Sequence, residues 1–183
     1  MTQEDVPVYR TQPLPRGNLS GHFLSPAVLI DDTRDALVGF ALAGLDDCGH
    51  EGIAFWAGLQ DRELTAFSTV IVPEAEHSHG RVLVTEAAYG KAVRAAKSVG
   101  LALLAQVHSH PGTDTRHSDG DDTLVILPYE GMLSVVVPRF GIGWTDLGSA
   151  AIHQFQLGRW VLCSPESVRQ RFRVSEAVLD ARG

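Results

Sequence analysis

The stretch Val107-His108-Ser109-His110-Pro111-Gly112, continued as far as His117-Ser118-Asp119-Gly120-Asp121, decides both the fold and the chemistry of this chain. It contains the pattern H-x-H followed by S-x-x-D, so two imidazoles, a hydroxyl and a carboxylate are concentrated in one segment. Residues 101–107, LALLAQV, carry no charge and predict a buried strand that leads into the segment. Pro111 and Gly112 then end this strand and turn the chain.

The spacing of the polar side chains predicts a metal site. Alternate residues of a strand point to the same face, so His108 and His110 are expected to project together from the C-terminal end of the strand. Asp121 follows closely enough for one loop to return its carboxylate to the same point. A tetrahedral zinc with three protein ligands keeps a fourth position for water, which is typical of a catalytic Zn²⁺ site. The competing interpretation is a polar loop with two surface histidines.

A second His-Ser-His, at residues 77–79, lacks the features that surround the first. No apolar strand leads into it, and no S-x-x-D follows at the matching distance. We therefore expect an exposed loop at these residues. A second metal there, bound with the help of Glu74 or Glu76, is the alternative.

The motif resembles that of the JAB/MPN metalloprotease family, the JAMM motif E…H-[S/T]-H-P-x(6–7)-S-x-x-D. The residues that carry the resemblance are His108, Ser109, His110, Pro111, Ser118 and Asp121. The family also has an upstream glutamate, usually in the pattern E-x-x-G-x-L-x-G, and this chain offers EGIAFWAG at residues 51–58. Glu51 and Gly58 match the pattern, whereas Ala54 and Trp56 depart from it. These departures are expected to narrow the groove beside the site, with Trp56 itself in the core.

The resemblance implies a role for each residue at the site. His108, His110 and Asp121 hold the metal, and Glu51 acts as the general base for water and then as the acid for the leaving amine. Ser118 donates a hydrogen bond to the tetrahedral oxyanion. The alternatives are a surface carboxylate for Glu51 and a helix cap for Ser118. We interpret His117 as a solvated histidine, with tuning of the loop or contact with substrate as the alternative. Asp114, Asp119 and Asp122 are candidates for the metal in place of Asp121.

The resemblance further implies a zinc-dependent isopeptidase or peptidase that cuts after the C-terminal glycine of a ubiquitin-like protein. The lone domain is similar to prokaryotic members of the family, which mature or remove such modifiers in operons with activating and conjugating enzymes, some of them antiviral (antiphage) systems. The alternatives are a peptidase that trims a sulfur-carrier protein and a non-catalytic MPN scaffold. Scaffold versions lose metal ligands, so the intact motif argues against the scaffold.

Composition limits the partners and the compartment. The formal net charge of −7 argues against nucleic acid or an anionic membrane as a partner. The cysteines, Cys48 and Cys163, form no CxxC pair and suit a reducing cytoplasm. The N-terminus lacks the features of a signal peptide, and no apolar run approaches the length of a membrane span.

The order of predicted elements indicates an α/β or α+β fold with one mixed β-sheet sandwiched by helices. The JAB/MPN resemblance implies the same, with a cytidine-deaminase-like layering. We expect a flexible or loosely docked N-terminal arm at residues 1–18 and a single domain at residues 19–183. Helices are predicted to begin at Asp31 or Asp32, at Thr85, at Asp121 and at Ser164, the last of them a C-terminal helix docked by Val168, Phe172 and Leu179.

Overall fold

A computed structural model describes residues 14–118, 120–121 and 128–175 of the chain. The helices that lie wholly within those ranges are α1 (Ala27–Ala43), α2 (Glu86–Ser98) and α3 (Pro165–Arg171), with 3-10 turns at Leu45–Asp47, Arg139–Gly141 and Leu147–Ser149. The strands are β1 (Arg16–Gly17), β2 (His22–Pro26), β3 (Ile53–Gln60), β4 (Leu64–Ile71), β5 (Glu76–Ser78), β6 (Arg81–Leu83), β7 (Ala102–Ser109), β8 (Leu133–Val137), β9 (Ala151–Gln156), β10 (Arg159–Cys163) and β11 (Phe172–Ser175).

Most of these strands form one mixed sheet, in the order β1-β10-β9-β8-β7-β3-β4-β2-β11, and β5 pairs with β6 in a separate hairpin. The predicted buried strand is β7, which lies inside the sheet, parallel to β8 and antiparallel to β3. Its side chains are buried from residue 103 to its end. A strand that is apolar on both faces is typical of a sheet that is covered on both sides. The C-terminal end of β7 therefore emerges between two neighbouring strands.

Helices cover both faces of the sheet. Residues directly opposite each other on paired strands share a face, and this register separates two cores. The core against α1 includes Leu29, Leu37, Trp56, Val107 and Leu133. The core against α2 includes Ile53, Phe55, Ala88, Ala92 and Leu103. The predicted α+β class, with a mixed sheet between helices, is confirmed.

The start of α1 differs from the sequence prediction. The prediction placed it at the pair Asp31-Asp32, whereas the helix begins at Ala27, directly after β2. Leu29 and Ile30 in its first turns are buried, so packing on the sheet extends the helix toward its N-terminus. Asp31 instead lies on the exposed side, where its Oδ1 is 2.7 Å from Nη1 of Arg34.

The predicted start of α2 is confirmed. The Thr85 hydroxyl accepts a hydrogen bond from the Ala88 amide at 3.2 Å, which caps the first turn. Gly100 follows the helix with a φ of +78°, the left-handed conformation that commonly ends a helix. No helix within the described ranges is long and apolar enough to cross a membrane.

Both ends of the described chain join the sheet. Arg16 and Gly17, which the prediction assigned to the arm, pair in parallel with β10, while residues 1–13 lie outside the described residues. Ser164 caps α3 as predicted, but the helix ends at Arg171. Phe172 then begins β11, which pairs in parallel with β2 and stacks its ring on Phe23 at 5.7 Å. The predicted contact of Leu179 lies outside the described residues, as do the Asp119 and Asp122 positions.

Candidate active site

The two histidines of the motif lie at the C-terminal end of β7. His108 lies in the strand opposite Val136 of β8, and His110 lies just beyond its end. The backbone of His110 is fixed on both sides, because its amide donates to the Val137 carbonyl at 2.9 Å and its carbonyl accepts from the Phe140 amide at 2.8 Å. The register of the sheet therefore continues past the last strand residue and orients both imidazoles.

Asp121 meets both imidazoles, as the spacing predicted. Its Oδ1 lies 3.3 Å from Nε2 of His108, and its Oδ2 lies 3.3 Å from Nε2 of His110. One potential ligand atom from each residue lies within 4.8 Å of the other two. Nε2 of His108 is buried and makes no hydrogen bond of good geometry among the described residues. The three side chains therefore fit a metal ion, although their role as ligands stays a prediction.

A backbone contact fixes the orientation of His110. Its Nδ1 is 2.8 Å from the Asp114 carbonyl oxygen, so this nitrogen donates its hydrogen and Nε2 is the ring atom left for a metal ion. The Asp114 carboxylate itself pairs with Arg116, and Asp114 is not among the grouped candidate ligands at the end of β7.

Electrostatics keep the Asp121 carboxylate ionised. Burial alone would raise the pKa of Asp121, but the imidazoles of His108 and His110 hold it well below its usual value. Burial also lowers the pKa of His110, yet the Asp121 carboxylate, the charge of Glu51 and the Asp114 carbonyl together raise it. A metal cation bound between these side chains would stabilise the ionised Asp121 carboxylate in place of the charged imidazoles.

Ser118 and Asp121 hold each other in a reciprocal pair. The Asp121 amide donates to Oγ of Ser118 at 3.0 Å, and the Ser118 amide donates to Oδ2 of Asp121 at 2.6 Å. This is the geometry of a capping box, so the cap that was considered for Ser118 is present. The Ser118 hydroxyl accepts in this pair, which leaves its own hydrogen available for a substrate oxygen. The catalytic role of Ser118 stays a prediction.

Glu51 precedes β3 and lies beside the histidine motif. Its amide donates to the Ser78 carbonyl at 2.8 Å. The next residue, Gly52, donates its amide to Oγ of Ser109 and accepts from the Ser109 amide, both at 3.0 Å. The alternative of a surface carboxylate for Glu51 is wrong, because the residue is only 6% exposed.

The pKa of Glu51 suits a group that exchanges protons near neutrality. Burial raises it to about 8, while the charge of His110 lowers it and that of Asp121 raises it. A carboxyl group with a raised pKa beside a candidate metal site is typical of a general acid and base. Its catalytic assignment stays a prediction.

The departures from the family pattern lie away from the groove. Trp56 is fully buried, as predicted, and its Nε1 donates to Oγ1 of Thr33 at 2.7 Å. Ala54 is also fully buried and pairs with Val107, whereas His108 pairs with Ile53 on the other face. The expectation that these residues narrow the groove is therefore wrong.

Glycine is required at position 58 by a close approach of the backbone and not by the candidate site. A Cβ at this position would lie 2.0 Å from the Ala66 carbonyl oxygen, at the irregularity between β3 and β4. Only glycine avoids that clash without moving the strands. The position of Gly58 in the family pattern is thus explained by strand pairing.

Sequence reasoning missed the burial of His117. It was expected to be solvated, but it is only 2% exposed, and its ring stacks on that of His153 with centroids 3.8 Å apart. Nothing local in the sequence marks this contact. The alternating pattern of AIHQFQ at residues 151–156 is the one signal that could have placed His153 on an inward face.

The second His-Ser-His belongs to the β5–β6 hairpin and not to a loop, which corrects the prediction. Nδ1 of His77 is 2.8 Å from Nδ1 of His50, and the hairpin contributes the Ser78 carbonyl that holds Glu51. Glu74 pairs with Lys91 at 2.6 Å. Among the described residues, the group of side chains that could hold a metal ion lies at the end of β7, and none lies here.

Comparisons with known proteins agree with this geometry. No protein-family model matches the chain. The "Probable metalloprotease y4jG" of Sinorhizobium fredii (strain NBRC 101917 / NGR234) is 36% identical over 110 residues, which cover 58% of this chain and 67% of that protein. Protein DSY2949 from Desulfitobacterium hafniense shares the fold, with a TM-score of 0.57 at 13% identity over 85% of this chain and 95% of that one.

A second solved structure, AF2198 from Archaeoglobus fulgidus, is described as a JAB1/MPN domain protein. It matches with a TM-score of 0.42 at 18% identity, over 87% of this chain and 99% of that one. The assignment of the family rests on the curated relative, together with the motif residues that the fold brings into contact. The chain belongs to the JAB/MPN family of metalloproteases.

Proposed function

We propose that this protein is a zinc-dependent peptidase that hydrolyses the amide or isopeptide bond after the C-terminal glycine of a ubiquitin-like protein. The observation that carries the proposal is the meeting of His108, His110 and Asp121 beside the buried carboxyl group of Glu51. The metalloprotease relative supports the reaction class. The choice of zinc and of substrate goes beyond that relative.

The donor set favours zinc among the common metals. Two imidazole nitrogens and one carboxylate are a usual set of ligands for a catalytic zinc, whereas calcium and magnesium prefer oxygen ligands alone. When bound, the metal would polarise the scissile carbonyl group and lower the pKa of a water molecule to near 7.

Glu51 would move the proton. In its ionised form, its carboxylate accepts a proton from the attacking water, and it then delivers that proton to the amine that leaves. The contacts of its backbone with Ser78 and of Gly52 with Ser109 hold it on the side of His110. A raised pKa favours this exchange, because the group can both take and give a proton near neutral pH.

Ser118 would stabilise the carbonyl oxygen as it gains negative charge. Its hydroxyl is fixed by the Asp121 amide, and the remaining hydrogen can point to the oxygen of the substrate. A donor that is held in place before the reaction contributes about 3–4 kcal/mol to such a transition state. The cap and the catalytic role therefore use different parts of the same hydroxyl group.

The burial of the site supports a narrow substrate. Glu51, His110 and Asp121 are each less than one tenth exposed, which favours a scissile bond carried on an extended chain without bulky side chains. The glycine-rich tail of a ubiquitin-like protein has this shape. We propose that the enzyme matures such a precursor or removes the modifier from targets, in the cytoplasm and alongside activating and conjugating enzymes, as in antiviral operons.

The test is cleavage of ubiquitin-like proteins that carry C-terminal extensions, by zinc-loaded enzyme with and without chelator. We expect a cut directly after the terminal glycine that chelator abolishes and added zinc restores, while Glu51→Gln serves as the inactive control. Cleavage of a sulfur-carrier precursor in preference to the others would favour the trimming peptidase. Bound zinc without cleavage of any such substrate would contradict the proposed substrate class, and absence of zinc would favour the scaffold.

A further inference from the structure

A row of buried polar side chains crosses the sheet one step below the candidate metal ligands. Gln106 of β7 lies opposite Ser134 of β8, and Ser134 lies opposite His153 of β9. All are at most 5% exposed. Gln106 precedes His108 by two residues, so both side chains belong to the same face of β7.

His117 lies over this row and comes from the loop that carries Ser118. Its Nε2 is 2.9 Å from Oγ of Ser134, and the same Oγ accepts a hydrogen bond from Nε2 of Gln106 at 2.9 Å. Its ring stacks on His153 at 3.8 Å and 24°, and it meets Trp160 edge-on at 5.3 Å. The imidazole is therefore held by a hydrogen bond on one atom and by rings around it.

Such a buried polar cluster needs an explanation beyond the stability of the fold. Polar groups that are taken from water cost free energy unless they are well paired, and an apolar row would fill the same space without that cost. Neither ring nitrogen of His153 finds a hydrogen-bond partner of good geometry among the described residues. None of these side chains takes part in the proposed reaction.

We propose that His117 is a positioning residue, which Ser134 and His153 hold so that the loop presents Ser118 and Asp121 to His108 and His110. The chain runs directly from His117 into the reciprocal pair of Ser118 and Asp121, so fixing the imidazole fixes the start of that pair. The ring of His117 also lies 6.0 Å from that of His108. The side chains that hold His117 and the candidate metal ligands thus lie on the same face of the sheet.

The inference rests on the proposed metal site, and metal affinity tests it without reference to a substrate. His117→Phe keeps an aromatic ring over His153 and removes the hydrogen bond to Ser134, while Ser134→Ala removes the same bond from the other side. We expect each variant to weaken zinc binding by about 10- to 100-fold, as measured by competition with a chromogenic chelator. The double variant should be little weaker than either single one, because both remove one shared bond.

Two further variants separate positioning from general stability. His117→Gln can restore the hydrogen bond to Ser134, so it should recover part of the zinc affinity. His79→Phe changes the exposed histidine that meets Phe140 in the other His-Ser-His, and it should leave zinc affinity unchanged. Thermal unfolding of each metal-free protein shows which variants are folded, and affinity is compared among those.

Two results would overturn the inference. Zinc affinities of His117→Phe and Ser134→Ala within about twofold of the wild type, whatever their thermal stability, would make the cluster structural only. If His117→Phe does not fold, the zinc affinity of Ser134→Ala, which removes the same hydrogen bond, decides the matter in the same way. A wild-type protein that binds no zinc would overturn the proposed function and this inference together, whereas normal binding with insensitive variants would overturn the inference alone.

Discussion

The same tripeptide, His-Ser-His, occurs twice in this chain and serves two different purposes. At residues 108–110 it ends the buried strand β7 and brings two imidazoles to Asp121. At residues 77–79 it lies on and just beyond β5 of a small hairpin, where His77 meets His50. The spacing is identical, so the difference comes from what surrounds each copy.

Strand environment and a returning carboxylate account for the difference. β7 lies between β3 and β8, and these neighbours fix the direction in which its side chains point. β5 pairs with β6 alone, and the nearby Glu74 is engaged by Lys91. A metal site needs several ligands held in one geometry, which a short two-stranded hairpin does not supply here.

The two copies nevertheless contact one segment, the segment that carries the proposed general base Glu51. In the copy at residues 77–79, the Ser78 carbonyl oxygen accepts the Glu51 amide. In the copy at residues 108–110, the Ser109 hydroxyl accepts the Gly52 amide. The segment of Glu51 is therefore held by both serines. One copy supplies two of the proposed metal ligands and holds this segment, and the other only holds the segment.

The largest effect that would separate the copies is expected from Asp121→Ala. Without its carboxylate the two imidazoles lack a third ligand, so bound zinc should fall from about one per chain to near zero, with activity lower by at least about 10³-fold. Elemental analysis and a cleavage assay check this. Glu76→Ala, beside the second His-Ser-His at residues 77–79, is the matched control and should keep both zinc and activity.

Glu51→Gln should separate metal binding from proton transfer. The amide is nearly the same size but cannot take a proton, so activity should fall by about 10²- to 10⁴-fold with zinc content unchanged. Activity and zinc are measured on the same preparation. A variant with near wild-type cleavage would contradict the mechanism, even if the metal site itself were confirmed.

Ser118→Ala should act on both activity and stability. Loss of the donor to the oxyanion is expected to reduce kcat by about 10²-fold, and loss of the cap should destabilise the protein by about 1 kcal/mol. Stopped assays and chemical denaturation measure the two effects. Ser118→Thr keeps the hydroxyl and should recover most of both, which distinguishes the role of the hydroxyl from that of the loop.

Acid should destabilise the fold through His153, which lies behind the candidate metal ligands. Burial lowers the pKa of His153 to about 3, with a further contribution from His108. Between these pH values the His153 imidazole is protonated in the unfolded chain but not in the folded chain. The free energy of unfolding therefore decreases as pH falls from about 6.5 toward 3, by up to roughly 5 kcal/mol. Denaturation of metal-free protein across this range, compared with His153→Gln, isolates the contribution. A difference between the two that does not vary with pH would contradict it.

The smallest effect is expected from the second His-Ser-His, at residues 77–79. His77→Ala removes the hydrogen bond to His50, which should destabilise the hairpin by about 1 kcal/mol and leave zinc content unchanged. Thermal unfolding and elemental analysis check the two parts. Loss of zinc in this variant would mean that the two copies are more alike than the fold indicates.

The sequence could predict the parts of this site that depend on neighbouring residues, but not those that depend on contacts between distant segments. The direction of His108 and His110 follows from the alternation of a strand, and the return of Asp121 follows from a short loop, so both were predictable. Glu51 lies just before a different strand, β3, and its position was predicted from a family pattern alone. Its burial depends on the contacts of Glu51 with Ser78 and of Gly52 with Ser109, which local sequence does not encode.

The misplaced elements have the same origin. His117 is buried because His153, in a distant strand, lies beneath it, and periodicity within the loop gives no sign of that contact. The start of α1 was placed at acidic residues that resemble a cap, whereas burial of Leu29 and Ile30 extends the helix. The strand at Phe172–Ser175 forms because β2 offers an edge for pairing. Tertiary packing decided each of these cases over local preference.

The location of the metal is the most direct test of the difference between the two copies. Crystals of the zinc-loaded protein, measured on both sides of the zinc absorption edge, give the position of the ion without reference to any substrate. We predict one strong anomalous peak among His108, His110 and Asp121 and none beside His50 and His77. A peak at the second His-Ser-His, residues 77–79, or none at the end of β7, would contradict the assignment of the active site.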